Sequence, residues 1–435
     1  MAAFKSNDAP FAERPSTFRG YKWTNWEDCG FSDRVNHAMS SAGGSAYALG
    51  GFSGRGKSIR TNESWNDLGD VPLDVQRFDT DSSTWERIYP PKEVEIHIPS
   101  TTNSRIDCPP LDYSEFISGR YAHSCIYYRG KLYMYGGRND YRFFLNVDCF
   151  DIESRKWSVL KTSQDNVPLG RYAHGCTLRG SIMFVQGGTM LDPSSHQSLR
   201  YTDTLLSCNL ETGQWQIEPV EPILNEENSP LQVLKRDFHS VVYTNGRIVV
   251  FGGKCYFPNQ DDDGFYEYLF GTSRWAKIDT AGYQPPGRRS LQGITYGQKS
   301  IIYFGGFSTR KKIFYSDLFI LDTDTRHVLK VIPYGLGPCP RRRVGMCLIG
   351  SDVIICGGVG RNQSKEKHDH SLLTFGDTYS LHLLPSLQHL CIESIIKYQL
   401  PVEILPVSIK QHIYTLSNEE CSDSQPLSGD LYSND

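Results

Sequence analysis

The chain has 435 residues, 39% hydrophobic and 22% charged, with a formal net charge of -4 and an isoelectric point near 6.3. That balance excludes the broadly basic surface needed for general binding to nucleic-acid phosphates or acidic membranes. No uninterrupted apolar run of about 20 residues occurs, so no apolar membrane-spanning helix is expected.

The N-terminus, MAAFKSNDAP, is polar and lacks the apolar stretch of a secretory signal, which predicts a soluble protein of cytoplasm and nucleus. None of the twelve cysteines forms a Cys-x-x-Cys pair. Cys125, Cys149, Cys176, Cys208, Cys347 and Cys356 sit inside strand-like runs and read as small, reduced core residues. No spacing supports a zinc site, and no cofactor is expected.

Residues 1–19 read as a flexible leader, and Tyr21-Lys22-Trp23-Thr24 has strand character before any repeat begins. A double glycine then closes an apolar run six times, at Gly50-Gly51, Gly136-Gly137, Gly187-Gly188, Gly252-Gly253, Gly305-Gly306 and Gly357-Gly358. The spacings are 86, 51, 65, 53 and 52 residues. An Arg-x-x-His start precedes four pairs (Arg34 to His37, Arg120 to His123, Arg171 to His174, Arg236 to His239), and Trp85, Trp157, Trp215 and Trp275 follow four of them. Period and motif order are those of kelch repeats, each a four-stranded blade of a propeller. The expectation is an all-β, six-bladed propeller over 20–384. Its glycines permit close backbone approach, and its tryptophans pack between blades.

Two repeats deviate. His327 stands where the fifth Trp is expected, and the sixth repeat has no Trp strand, so the segment around Trp23 is predicted to pair into blade six and close the ring. Insertions are expected as face loops at about 90–119, at Asn259 to Asp263 and at Gly360 to Gly376.

The C-terminal part has another character. Leu387, Cys391 and Ile395 fall at i, i+4 and i+8, a narrow apolar stripe on a helix that Ser386 would cap and Pro401 would stop. Pro406 suits the first turn of a second helix, along which Ile409, Ile413 and Leu416 repeat. Residues 385–416 thus read as a helical segment and 417–435 as a disordered tail. For the stripe alone, packing on its own domain is the competing interpretation.

Residues beside each repeat start and beyond each double glycine should ring a central depression: Arg120, Tyr121, Arg138, Arg171, Tyr172, Arg236, Asp237, Lys254, Arg288, Arg289, Ser290 and Arg341 to Arg343. Arginine forks and a serine hydroxyl suit a carboxylate, such as a peptide C-terminus. A repeated Arg or His can equally bond backbone within the repeat. Lys254, Ser290 and Arg138 read as lying outside the repeating positions, and the histidines read as structural.

Arg34-Val35-Asn36-His37-Ala38, Gly136-Gly137-Arg138-Asn139-Asp140, Arg236-Asp237-Phe238-His239-Ser240, Gly337-Pro338-Cys339-Pro340-Arg341-Arg342-Arg343 and the Leu387 to Ile395 box together resemble the kelch substrate receptors of cullin-2 ubiquitin ligases. The resemblance implies a non-catalytic receptor. Leu387, Cys391 and Ile395 would bind elongin C of the elongin B/C pair, and Leu405, Pro406 and Ile409 would engage cullin-2 with its RING subunit. It also implies a propeller that holds C-terminal degrons, typically glycine-ended with an arginine close by. In that group an arginine after the fourth double glycine and a serine opening the fifth blade hold the terminal carboxylate, and here these positions are Lys254 and Ser290. Arg289, Arg138, Asp140, Arg171, Tyr172, Arg236 and Asp237 complete the expected degron site. A chromatin-associated nuclear scaffold, with a part in meiosis, is the alternative. An enzyme ranks last, because no nucleophile with a paired base and no phosphate loop is found. Self-association is left open.

Overall fold

A computed structural model describes residues 17–26, 28–53, 71–90, 117–139, 142–162, 168–221, 234–255, 261–361 and 371–383, with positions 395, 401, 405, 406 and 410. The chain divides into two units, Met1–Leu381 and His382–Asp435.

The first unit is a propeller of six antiparallel four-stranded sheets. Blade one comprises Ala38–Ala42, Ser45–Leu49, Val75–Asp79 and Thr84–Tyr89, and blades two to four repeat the pattern from Ser124, Gly175 and Ser240. Blade five runs from Gln292–Tyr296 to His327–Tyr334, and blade six contains Gly345–Ile349, Asp352–Cys356 and Thr378–His382. The second strand of every blade, such as Lys131–Tyr135 or Ser300–Phe304, is buried over its last four residues. Such a strand is covered on both faces by neighbouring blades, which is why its sequence is an unbroken apolar run rather than an alternating one. The core therefore lies between blades: Val249, Phe251 and Phe265 of blade four pack with Ile301, Tyr303 and Phe319 of blade five. Each buried aromatic contributes about 1.5–3 kcal/mol.

The double glycines are the inter-blade joints. A β-carbon at Gly136 would lie 2.5 Å from the Arg171 carbonyl oxygen, and Gly136 and Gly137 have φ of 65° and 84°. Only glycine fits there without strain. In all six joints the second glycine's N–H donates to the carbonyl of the arginine opening the next blade, from Gly51 to Arg120 at 2.9 Å around to Gly358 and Arg34 at 2.7 Å. A second cycle links the third residue of each start: Ala122 to Asn36, Ala173 to Ala122, Phe238 to Ala173, Ser290 to Phe238, Arg343 to Ser290 and Asn36 to Arg343, N–H to carbonyl at 2.7–3.4 Å.

Ring closure follows the expected route. Thr17–Trp26 is hydrogen-bonded between the third strand of blade six and the outer strand of blade five, joining both blades into one sheet. Trp23 lies edge-on to Phe304 of blade five and Tyr379 of blade six, with centroids 6.1 and 6.3 Å away. It takes the inter-blade role that Trp85 has between blades one and six, where its indole N–H donates to the Thr378 hydroxyl at 2.9 Å. The fifth repeat needs a correction. Trp85 pairs with Phe78, and the equivalent pair is Val328 with Leu321, so fully buried Val328 holds the Trp position and His327 lies one residue earlier. The hairpin register places the position, and a one-residue slip reverses the face.

In the second unit Ile395 and Lys410 are helical, and the Lys410 N–H donates to the Pro406 carbonyl at 3.0 Å. Leu387, Cys391, Ile409 and the tail 417–435 lie outside the described residues, as does most of the 90–119 insertion. No helix among the described residues is long and apolar enough to cross a membrane.

Candidate functional site

Each blade opens with four residues whose positions have distinct tasks. The first is always an arginine, and its side chain is buried within its own blade. Arg34, Arg120, Arg171, Arg236, Arg288 and Arg341 all donate to the carbonyl of their blade's first joint glycine, at 2.8–3.4 Å. Five also pair with an aspartate (Asp74, Asp148, Asp262, Asp317, Asp377), whereas Arg171 donates instead to the Thr204 hydroxyl at 3.0 Å. Arg171 and Arg236 are only 3% and 0% exposed and serve these joints. Both belong to the expected degron site, and the structure places their side chains inside their own blades and not among the residues that line the axial cavity.

The fourth position is His37, His123, His174, His239, Leu291 or Val344, packed against joint glycines. Burial, then a neighbouring arginine, pushes His37 and His174 down to about 3, and His123 and His239 fall well below the ordinary value for the same reasons. These rings are neutral spacers.

Positions two and three form the site together with the fourth-position residues, which line the same cavity. The third residues Asn36, Ala122, Ala173, Phe238, Ser290 and Arg343 share positive φ of 51–61° and line an axial cavity of about 80 Å³. Ser290 is thus inside the repeat, in the third position, and not outside it as its sequence context suggests. Its hydroxyl is buried, borders the cavity and has no hydrogen-bond partner among the described residues.

Second-position residues pair through backbone with residues beyond the double glycines: Tyr121 with Arg138, Tyr172 with Thr189, Asp237 with Lys254, Arg289 with Phe307, and Arg342 with Val359. This brings predicted residues Arg138, Tyr172, Asp237, Lys254, Arg289 and Ser290 to one face. The Arg138 guanidinium carbon is 5.6 Å from the Tyr172 ring centroid, and that of Arg343 is 4.7 Å from the centroid of Phe238.

Burial lifts the Asp237 carboxyl to about 6, opposed by the Thr189 hydroxyl, which donates to it at 3.1 Å, and by the charges of Arg289, Lys254 and Arg343. Burial and then the like charge of Arg289 bring Arg343 down to about 10. Cations outnumber the acid, so the face is suited to an anion.

Residues 93–229 and 225–358 match the model of the KLHDC2/KLHL20/DRC7 Kelch-repeats domain. The chain belongs to the kelch-repeat family. This kelch chain is 27% identical to Kelch domain-containing protein 3 of Homo sapiens over 393 residues, covering 88% of this chain and 93% of that protein. The Mus musculus protein of the same name is also 27% identical, over 395 residues. Kelch-like protein 15 of Mus musculus is 25% identical over 235 residues, 50% of this chain and 34% of that one. Kelch propellers are interaction domains and typically non-catalytic.

Within the kelch face, Arg289 and Lys254, both read from the sequence as candidates around a central depression, lie near Asp237. Sequence reasoning missed Thr189, Phe238 and Tyr201. Thr189 directly follows a double glycine and Phe238 holds a third position, so aligning the six repeats residue by residue would have found both. Tyr201, at the end of the inserted strand Ser195–Tyr201, reaches the site by hairpin pairing with Thr189 and has no periodic signal. Asp140 lies outside the described residues. Among the described residues no cluster of His, Cys, Asp and Glu could hold a metal ion.

Proposed function

We propose that this kelch propeller is the substrate-recognition subunit of a cullin-2/elongin B/C ubiquitin ligase and holds the C-terminal carboxylate of glycine-ended degrons at its axial face. One observation carries the proposal: the Ser290 hydroxyl, buried and without a partner among the described residues, borders a cavity that Arg343 lines, while Arg289 lies near Arg343 and both Arg289 and Lys254 act on the Asp237 carboxyl. A hydroxyl and several cations around a small cavity match a terminal carboxylate without a bulky side chain. Charge-assisted bonds of this kind contribute about 1.5–3 kcal/mol each. Lys254 would act as a point charge rather than a two-pronged fork.

The ligase half of the proposal is supported by the two C-terminal boxes, Leu387-Cys391-Ile395 for elongin C and Leu405-Pro406-Ile409 for cullin-2. Affinity capture with mass spectrometry, comparing the natural chain with Leu387→Ala plus Cys391→Ala, tests it. Recovery of elongins B and C and cullin-2 that disappears in the double variant is expected. Failure to recover them with the natural chain would sink the ligase role and favour a chromatin scaffold.

A further inference from the structure

The cationic side of the face extends further than one carboxylate requires. Arg342, in the second position of blade six, is 9% exposed. It makes no ion pair or side-chain hydrogen bond to any described residue, and its Nε is buried without a partner. Its guanidinium carbon lies 4.7 and 5.5 Å from the ring centroids of Phe307 and Phe314, which pair across the hairpin Phe307–Ser308/Ile313–Phe314. The same hairpin carries exposed Arg310, Lys311 and Lys312 at its tip. Asp261 is the acid at this hairpin, and it accepts hydrogen bonds from the Thr309 N–H and hydroxyl. A buried guanidinium beside two others, Arg289 and Arg343, is stabilised when an anion joins it.

We infer that Arg342 and the blade-five hairpin form a second anion subsite, so that the preferred ligand is a C-terminal peptide with acidic side chains immediately upstream of its terminus. This rests on the carboxylate-binding reading of the axial face. Ser290, Lys254 and Arg343 would take the terminal carboxylate, while Arg342 takes an Asp or Glu side chain and Arg310, Lys311 and Lys312 attract the acidic chain. An arginine near the peptide terminus would instead meet like charge.

Fluorescence anisotropy on the full chain tests this with labelled peptides ending in Glu-Glu-Gly, Gln-Gln-Gly and Arg-Arg-Gly, each as free acid and as amide. The Glu peptide should bind roughly tenfold or more tighter than the Gln peptide, as one charge-assisted contact implies, and the Arg peptide weakest. Arg342→Gln should reduce the Glu-over-Gln preference to about twofold or less while the free-acid requirement persists. Exchanging Arg310, Lys311 and Lys312 for serine, on an exposed tip, should shrink the same preference without relying on a buried substitution. Equal binding of Glu and Gln free acids would overturn the acidic subsite and leave the carboxylate reading intact. Equal binding of free acids and amides would overturn the carboxylate reading. Tightest binding of the Arg peptide would overturn the assignment of Arg342.

Discussion

Arg343 of the sixth repeat stacks its guanidinium 4.7 Å from the ring centroid of Phe238 in the fourth, reaching past the fifth repeat and its Ser290. The two residues share the third position of their starts and line the same cavity, so one spans the other's side of the axis. Replacing Arg343 by Ala should lower affinity for a free-acid peptide about tenfold or more. Phe238→Ala should lower it less, because the guanidinium loses its support but keeps its charge. Isothermal titration of both variants checks the order.

Ser290→Ala makes a sharper case. Removing a buried hydroxyl that has no partner relieves an uncompensated polar group, so stability should hold or rise by up to about 1 kcal/mol. Peptide affinity should nevertheless fall severalfold. Denaturant midpoints and binding isotherms on the same preparation separate the two effects, and a parallel loss of both would mean that the hydroxyl is structural.

The arginine ladder predicts unequal costs for the same substitution. Arg288→Met strands Asp317 without its cation and should destabilise by about 3–5 kcal/mol. Arg171→Met leaves behind neutral partners, the Gly187 carbonyl and the Thr204 hydroxyl, and no stranded aspartate among the described residues, and should cost about 1–3 kcal/mol. Urea unfolding followed by Trp fluorescence would resolve the difference.

Closure by Thr17–Trp26 predicts the outcome of truncation. Removing residues 1–26 frees the edges of Thr378–His382 and His327–Tyr334, and the shortened chain should form soluble aggregates on size exclusion. Trp23→Ala should leave the size-exclusion profile of the natural chain unchanged yet cost about 3–5 kcal/mol, as for other buried aromatic truncations.

Four buried histidines set the pH dependence of stability. Their folded values lie far below the ordinary value of about 6.5, at about 3 for His37 and His174, so the unfolded chain binds more protons as pH falls through that window. Stability is therefore fully present above about pH 6.5 and falls as the pH drops towards 3. Asp237, lifted to about 6, and Asp148 and Asp262, which burial also raises, work the other way by favouring the folded state on protonation, against the four histidines. Urea midpoints should fall steadily from pH 7 to 5, with a shallower slope in His239→Gln.

The sequence by itself determined the architecture. Six double glycines in register, with Arg before each and Trp after four, specify a propeller because each joint admits no β-carbon and each second strand must be apolar on both faces. It also named the closing strand, since the sixth repeat lacked one. What tertiary structure decided is where side chains of equal charge go. Arg288, Arg289, Arg341, Arg342 and Arg343 are alike as residues. Yet the first position of each start turns inward to a carbonyl and, in all but Arg171, an aspartate, while the third and fourth line the axial cavity and the second pairs with the residue beyond its double glycine. Ser290 looked exceptional in the chain and proved to hold a repeated position, because its neighbours Arg288 and Leu291 disguise the start. Tyr201 entered the site through an inserted hairpin, and Val328 displaced His327 through register. Local sequence carries periodicity, but which residue faces the axis follows from how neighbouring blades meet.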